Sequence, residues 1–193
     1  MTDESTTTHR QTPSQTIGPF FGYALPYDGG PELVPGNQPT AIRLYGTVFD
    51  GAGNPVPDAL LEIWQADDEG ILPRELGSLA RGQQGSAADA FTGFGRCPST
   101  RAGRYGFTTV KPGPVSGKAP YILVTVFARG MTQHLFTRCY FPDEVDLNAE
   151  DTVLNAVPAD RRHTLIAVRE RAGYRFDIHL QGEGETVFLD FDD

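Results

Sequence analysis

Two cysteines, Cys97 and Cys139, and one tryptophan, Trp64, are all that the 193 residues hold of these types, and long apolar runs are missing. Two thiols in a chain of this length do not make the disulfide framework of a secreted scaffold. No stretch reaches the ~20 apolar residues that cross a bilayer as a helix. Met1 to Thr12 is polar, with Asp3 and Glu4 and none of the apolar core of a signal peptide. These absences predict a soluble, cytoplasmic chain with free thiols and no membrane partner. Excess positive charge is missing too: the formal net charge is -9, and the Lys and Arg residues are scattered. Such a surface repels phosphate backbones, so nucleic acid is excluded as a partner. The usual metal spacings are absent, with no His-x-His, Cys-x-x-Cys or His-Glu-x-x-His. Gly-x-Ser-x-Gly, which would present a nucleophilic serine, is absent as well.

What is present is an ordinary globular mix, 39% hydrophobic and 21% charged, and no repeat or charge block divides it. One domain over residues 1–193 is expected, with 1–11 as a flexible tail and 12–40 as an extended N-terminal arm. From Ala41 to Asp50, Ile42, Leu44 and Val48 alternate with Arg43, Tyr45 and Thr47, which predicts a strand before the Asp50 to Pro55 turn. Ala59–Ala66, Arg104–Val110, Ala119–Arg129 and Gln133–Phe141 read as further strands, and Asp151–Ala156 as one helical turn. Tyr174, Phe176, Ile178 and Leu180 then face one way and Arg175, Asp177, His179 and Gln181 the other. Glu185–Phe191 is expected to close the sheet. Asp67–Arg101 holds six glycines and shows neither period, so it reads as a long loop. About eight short strands without a long amphipathic helix predict an all-β fold, a β-sandwich.

Taken alone, the chemistry-bearing residues are sparse. His9 falls in the polar tail and His179 on the outward side of its strand, with His134 and His163 elsewhere; a lone histidine is more often a surface or packed residue than a ligand. Cys97 follows Arg96, whose charge could lower a thiol pKa, against the simpler reading of a buried thiol. Trp64, in Glu62-Ile63-Trp64-Gln65-Ala66-Asp67, reads by itself as a core aromatic at a strand end.

Several segments together resemble one family. They are Thr12-Pro13-Ser14-Gln15-Thr16-Ile17-Gly18-Pro19-Phe20, Glu62 to Asp67, Gly93-Phe94-Gly95-Arg96, Thr109 to Pro114 and Phe127-Ala128-Arg129-Gly130. In that order they resemble the protocatechuate 3,4-dioxygenases of the intradiol ring-cleaving dioxygenase family, and Tyr174 to Phe188 is similar to the C-terminus of their alpha subunits. The resemblance implies a β-sandwich of the intradiol type and an enzyme that cleaves 3,4-dihydroxybenzoate between its hydroxyls with O2. It also implies a beta subunit as partner in a multi-copy hetero-oligomer. In the family, Fe(III) is a cofactor held by the beta subunit through two tyrosines and two histidines; it binds the catecholate and activates it toward dioxygen.

This sequence departs at each ligand position. The first tyrosine falls eight residues beyond the tryptophan, at Leu72, and the second follows Lys111-Pro112-Gly113-Pro114, at Val115. The two histidines align to Tyr121 and Leu123, or to Ile122 and Val124 in a register shifted by one. These are expected to be vestigial positions, with no metal and no catalytic residue in this chain. The resemblance instead implies that Thr16, Gly18 and Pro19 close over a beta-subunit pocket and that Arg129 reaches toward the same substrate. A hydroxyl and a guanidinium there would hold a carboxylate, while Gly18 allows close approach and Pro19 stiffens the arm. Alpha subunits that hide apolar surface against a partner are expected to expose it when alone.

Two other readings stay open on the residues. Gly46 to Asp50, Pro55 to Ala59 and Gly103 to Phe107 also resemble transthyretin-like and carboxypeptidase-regulatory modules, which would make the chain a stand-alone binding sandwich. An active dioxygenase with a different ligand set would draw on Tyr105, Tyr121, His134 and His179.

Overall fold

The computed structural model describes residues 13–16, 18, 21–73 and 91–190. The first strand follows its alternation: in β1 (Ala41–Phe49), Leu44, Gly46 and Val48 are buried while Arg43, Tyr45 and Thr47 face outward. β1 pairs antiparallel with β4 (Arg104–Val110), from Ala41 opposite Val110 to Thr47 opposite Arg104. Its other edge takes two short parallel partners, β8 (Gly173–Arg175) and β9 (Ile178–His179), and β7 (Val168–Glu170) pairs antiparallel with β8. Phe176 and Asp177 interrupt β8 and β9: the Phe176 N–H donates to the Tyr45 carbonyl at 2.8 Å and the Thr47 N–H to Asp177 Oδ1 at 3.0 Å. A Cβ at Gly46 would lie 2.0 Å from the Phe176 carbonyl oxygen, so the two segments pass only because residue 46 has no side chain.

The second sheet is antiparallel, in the order β3 (Phe94–Pro98), β2 (Leu60–Trp64), β5 (Tyr121–Phe127), β6 (Leu135–Tyr140). Period two sends Leu61 and Ile63 of β2, and Ile122, Val124 and Val126 of β5, into the gap between the sheets. There they meet Leu44, Val48, Phe107, Phe176 and Ile178 of the first sheet. Each such burial contributes ~1.5–3 kcal/mol, which makes this cluster the main source of cohesion. A smaller cluster of Ala119, Tyr140, Leu154, Val157 and Leu165 packs beside the short helices α2 (Val145–Glu150) and α3 (Thr152–Ala156). Asp151 caps α3 by accepting from the Leu154 N–H at 2.8 Å and also accepts from the Tyr140 hydroxyl at 2.9 Å.

The sandwich and its main strands match the sequence reading, with three differences. The Asp67–Arg101 segment is not all loop, because β3 lies inside it as an edge strand on β2. The 12–40 arm is only partly extended: α1 (Phe21–Ala24) is a helical turn, and Tyr27 and Gly30 close another. The extended part that remains bridges Glu32 to Thr108 on the edge of β4, which buries Leu33 and Val34. Finally, 185–190 reaches the second sheet through one bridge, Leu189 with Phe136, rather than as a full strand. The 1–11 tail, Thr12, Pro19 and Phe191 lie outside the described residues.

Candidate functional site

At one end of the second sheet, on its outer face, the chain encloses a cavity of about 410 Å³. Trp64, Gln65 and Ala66 line it from the end of β2, Tyr121 and Leu123 from the start of β5, and Val115, Ser116 and Lys118 from the connection before β5. Leu72, Pro73, Thr92 and Pro120 complete most of the wall.

Two turns are clamped together to build this wall. Asp67 folds the first by accepting from the Glu69 and Ile71 N–H groups at 3.0 and 2.7 Å. The Gly113 N–H donates to the Asp67 carbonyl at 2.8 Å, and a Cβ on Gly113 would lie 2.6 Å from the Asp68 carbonyl oxygen. Gly113 is therefore what lets the 67–71 and 111–114 turns touch, bringing Leu72 and Val115 to one cavity. Gln65 fixes the floor: its amide donates to the Ala66 and Val110 carbonyls at 3.0 and 2.9 Å and accepts from the Thr109 hydroxyl at 2.7 Å.

All four positions aligned to iron ligands, Leu72, Val115, Tyr121 and Leu123, line this cavity. The alternative pair does not: Ile122 and Val124 are 0% and 1% exposed in the core between the sheets. A slip of one residue exchanges the two faces of a strand, so only the first register brings its pair to the cavity. Leu72, Val115 and Leu123 have no lone pair to offer a cation. Tyr121 has one oxygen, and its ring lies 4.0 Å from the Arg138 guanidinium. The side chains present do not fit ferric iron. Among the described residues no group of three or more His, Cys, Asp or Glu could hold a metal ion.

The alternative ligand set is not assembled. The Tyr105 hydroxyl is buried and donates to the Phe176 carbonyl. His134 is exposed and packs between Phe127 and Phe136, while His179 stacks on Phe49 in the other sheet at 4.9 Å. His163 donates from Nδ1 to the Asp160 carbonyl at 2.8 Å. Both cysteines are free and buried, and burial pushes both thiols up. Arg96 does not activate Cys97, because neighbouring residues of a strand point to opposite faces. Its Nε donates instead to Glu62 at 2.8 Å and its Nη1 to the Leu25 carbonyl at 2.8 Å, which ties the arm to β3. Trp64, the expected core aromatic, is 47% exposed at the cavity mouth and packs on Phe94 at 4.4 Å. Ile71 and Leu72 beside it are exposed too, so apolar surface gathers at this mouth as well as at Tyr23, Val145 and Val168.

Thr16 and Arg129, distant in sequence, are brought together. Thr16 Oγ1 accepts from the Gly130 N–H at 3.1 Å, and Arg129 Nε lies 3.0 Å from Asp58 Oδ2. Gly18 has φ +74, and a Cβ there would meet nothing within 4 Å, so it forms an open left-handed bend that glycine adopts without cost. This patch is not part of the cavity. It sits at the far end of β5, roughly 20 Å from Leu123 at about 3.3 Å per residue. The sequence reading did not single out Gln65, Ser116 or Lys118. The only signal for Gln65 was an amide at the end of an apolar strand, and for Lys118 a lone cation before Ala119 and Pro120.

A family model described as Dioxygenase matches residues 17–182. The alpha chain of protocatechuate 3,4-dioxygenase from Burkholderia cepacia is 44% identical over 95% of this chain and 99% of its own length. The beta chain from the same organism is 30% identical over 90% of this chain and 77% of its own. Among solved structures, the dioxygenase domain of a dioxygenase carbohydrate-binding fusion from Streptomyces sp. SirexAA-E superimposes with a TM-score of 0.60. It is 25% identical and covers 90% of this chain and 99% of that one. This chain belongs to the intradiol dioxygenase family. The family match runs to residue 182, into the C-terminal segment that generic transthyretin-like modules do not need, and with the alpha-chain identity it decides against the stand-alone sandwich.

Proposed function

We propose that this chain is the alpha chain of a protocatechuate 3,4-dioxygenase, a cytoplasmic single-domain subunit that completes a beta chain's active site and holds no iron itself. The observation that carries this is the 44% identity to an alpha chain over nearly the whole of both proteins. The reaction opens the ring of 3,4-dihydroxybenzoate between its two hydroxyl-bearing carbons, and both atoms of O2 enter the product, 3-carboxy-cis,cis-muconate. The Fe(III) belongs to the beta chain. In support, the positions aligned to its ligands carry Leu72, Val115, Tyr121 and Leu123 around the cavity of this chain.

Thr16, Gly18, Pro19 and Arg129 are assigned to the substrate carboxylate in the partner's pocket. Thr16 bonds the Gly130 N–H next in sequence to Arg129, and both residues are exposed and away from this chain's own cavity, as a contribution to another chain's site requires. Among the described residues Arg129 is held by a solvent-facing ion pair with Asp58, worth ~0–1 kcal/mol, so exchanging that partner for a substrate carboxylate costs little.

The test is co-expression with a beta chain, followed by iron analysis and ring-cleavage kinetics. Iron is expected in the complex and absent from this chain alone. The double variant Thr16→Ala, Arg129→Ala should keep the iron and lose about tenfold or more in kcat/KM, as losing charge-assisted hydrogen bonds to the substrate implies. Unchanged kcat/KM would remove the assignment of these residues; tightly bound iron in this chain alone would remove the reading as a whole.

A further inference from the structure

The cavity left where the aligned ligand positions meet is neither filled nor collapsed. Replacing ligands with bulky packed side chains could have closed it, yet about 410 Å³ remains, within the range of small-molecule pockets. Its walls are aliphatic and aromatic, from Trp64, Leu72, Val115, Tyr121 and Leu123.

Its polar features are few and of one kind. Among the described residues Lys118 is the single charged side chain in the lining, and no carboxylate of theirs lines the cavity. Lys118 is exposed and makes no ion pair among the described residues, although the chain as a whole carries a net charge of -9. Behind the wall a second cation, Arg138, stacks on Tyr121 at 4.0 Å, and its buried Nε has no hydrogen-bond partner. Ser116 has φ +51 and ψ +36, the one non-glycine in the left-handed region among the described residues, and its hydroxyl makes no hydrogen bond there. Strain of this kind persists where the surroundings hold a residue in place for use. Gln65, by contrast, is fully engaged with Ala66, Thr109 and Val110, and it shapes the cavity without being free to bind.

We propose that this cavity is a binding site for a small amphiphilic monoanion: a flat-ring or short-chain apolar body between Trp64 and Leu123, with one carboxylate facing Lys118 and the Ser116 hydroxyl. The site belongs to this chain alone, performs no chemistry, and is separate from the partner's pocket assigned to Thr16 and Arg129.

Trp64 is the only tryptophan of the chain, so its emission reports the site directly. The full chain is titrated with benzoate, hexanoate and the uncharged benzyl alcohol, following Trp64 emission and the methyl resonances of Leu72, Val115, Leu123 and, as a core reference, Leu61. Saturable binding of benzoate or hexanoate is expected, shifting the three cavity methyls and leaving Leu61 unmoved. Tighter binding of benzoate identifies a ring ligand and tighter binding of hexanoate a chain. Lys118→Met, an exposed substitution without risk to the fold, should weaken the acids about fivefold and leave benzyl alcohol unchanged.

Three results overturn the proposal. They are no saturable binding up to about 10 mM, equal loss or no loss for acid and alcohol in Lys118→Met, and binding that disappears when the beta chain is added. The last would make the cavity a seat for the partner's side chains. None of them bears on the proposed enzyme, whose test reads iron and turnover.

Discussion

Gln65 offers the most direct test of how the cavity is held. It follows β2 of the second sheet, and its side chain ties that sheet to the end of β4 in the first through Thr109 and Val110. Both Gln65 and Thr109 are buried, at 6% and 0% exposure, so water cannot replace what either loses. Gln65→Leu keeps most of the volume and removes the amide, breaking three hydrogen bonds of 2.7 to 3.0 Å. At ~1 kcal/mol for each bond, and more where a buried group is left unpaired, the loss should be ~3–4 kcal/mol. For a chain of this length each kcal/mol lowers Tm by ~2–4 °C, giving a fall of about 10 °C. Thr109→Val removes one of the three bonds and should cost ~1–2 kcal/mol. Because the two side chains touch, the double variant should lose less than the sum, by ~0.5–3 kcal/mol. Urea and thermal unfolding of the four proteins, followed by circular dichroism, supply every term of that cycle. If Gln65→Leu falls by less than about 1 kcal/mol, or the cycle shows no coupling, the Gln65 clamp does not hold the sheets as argued.

Two other predictions follow from the same structure. Burial pushes the Asp143 carboxyl up, but the hydrogen bond and charge of Lys111 and the hydrogen bond from Tyr174 more than offset this and leave it below its usual range. A depressed carboxylate contributes stability that is full above its unfolded value, near pH 4, and is lost as pH falls through the lower folded value. Asp143→Asn should therefore flatten the acid limb of a urea-midpoint profile below about pH 4, with less than ~1 kcal/mol lost at neutral pH because the side chain is half exposed; an unchanged slope would place the acid sensitivity elsewhere. Restoring the aligned ligand types with Leu72→Tyr, Val115→Tyr, Tyr121→His and Leu123→His together should give a chain that retains ferric iron and absorbs in the visible, since these side chains meet at one cavity. A folded variant without iron would show that lining the same cavity is not enough to bring the four donors within bonding distance.

How much of this was legible in the sequence follows from which pattern each element carried. β1 alternates apolar and polar side chains, the mark of a half-buried strand, while β5 is a short, nearly continuous apolar run between Pro120 and the Arg129-Gly130 break, which reads as a strand by its length and its bounds. β3 carries its pattern inverted: Phe94 and Arg96 face outward, while Gly95 and Cys97 take the inward positions. Gly95 is inward because a Cβ there would lie 2.4 Å from Leu33 Cδ1, so the arm supplies the side chain that the strand gives up. No local window could read this, since the apolar group filling the position comes from about sixty residues earlier. The same limit hid the Gln65 clamp and the nearness of Thr16 to Gly130, which exist only once the sheets are paired.

The site divides along the same line. Chemical identity was legible one residue at a time: aliphatic side chains at three aligned positions rule out metal ligation whatever the fold, because they have no lone pair. What they do instead depends on space. Leu72 and Val115 sit on connections that touch only because Gly113 has no side chain, since a Cβ there would lie 2.6 Å from the Asp68 carbonyl oxygen. Leu72 and Val115 are shorter than the tyrosines matched to those positions, while Tyr121 is larger than the histidine matched to it. The cavity thus goes with a kept scaffold and two shortened side chains on its connections. Apolar side chains lining an open pocket of this kind forfeit part of their burial from water. That cost is offset if a ligand occupies it, which is why Trp64 emission on adding benzoate distinguishes a relic from a site in use.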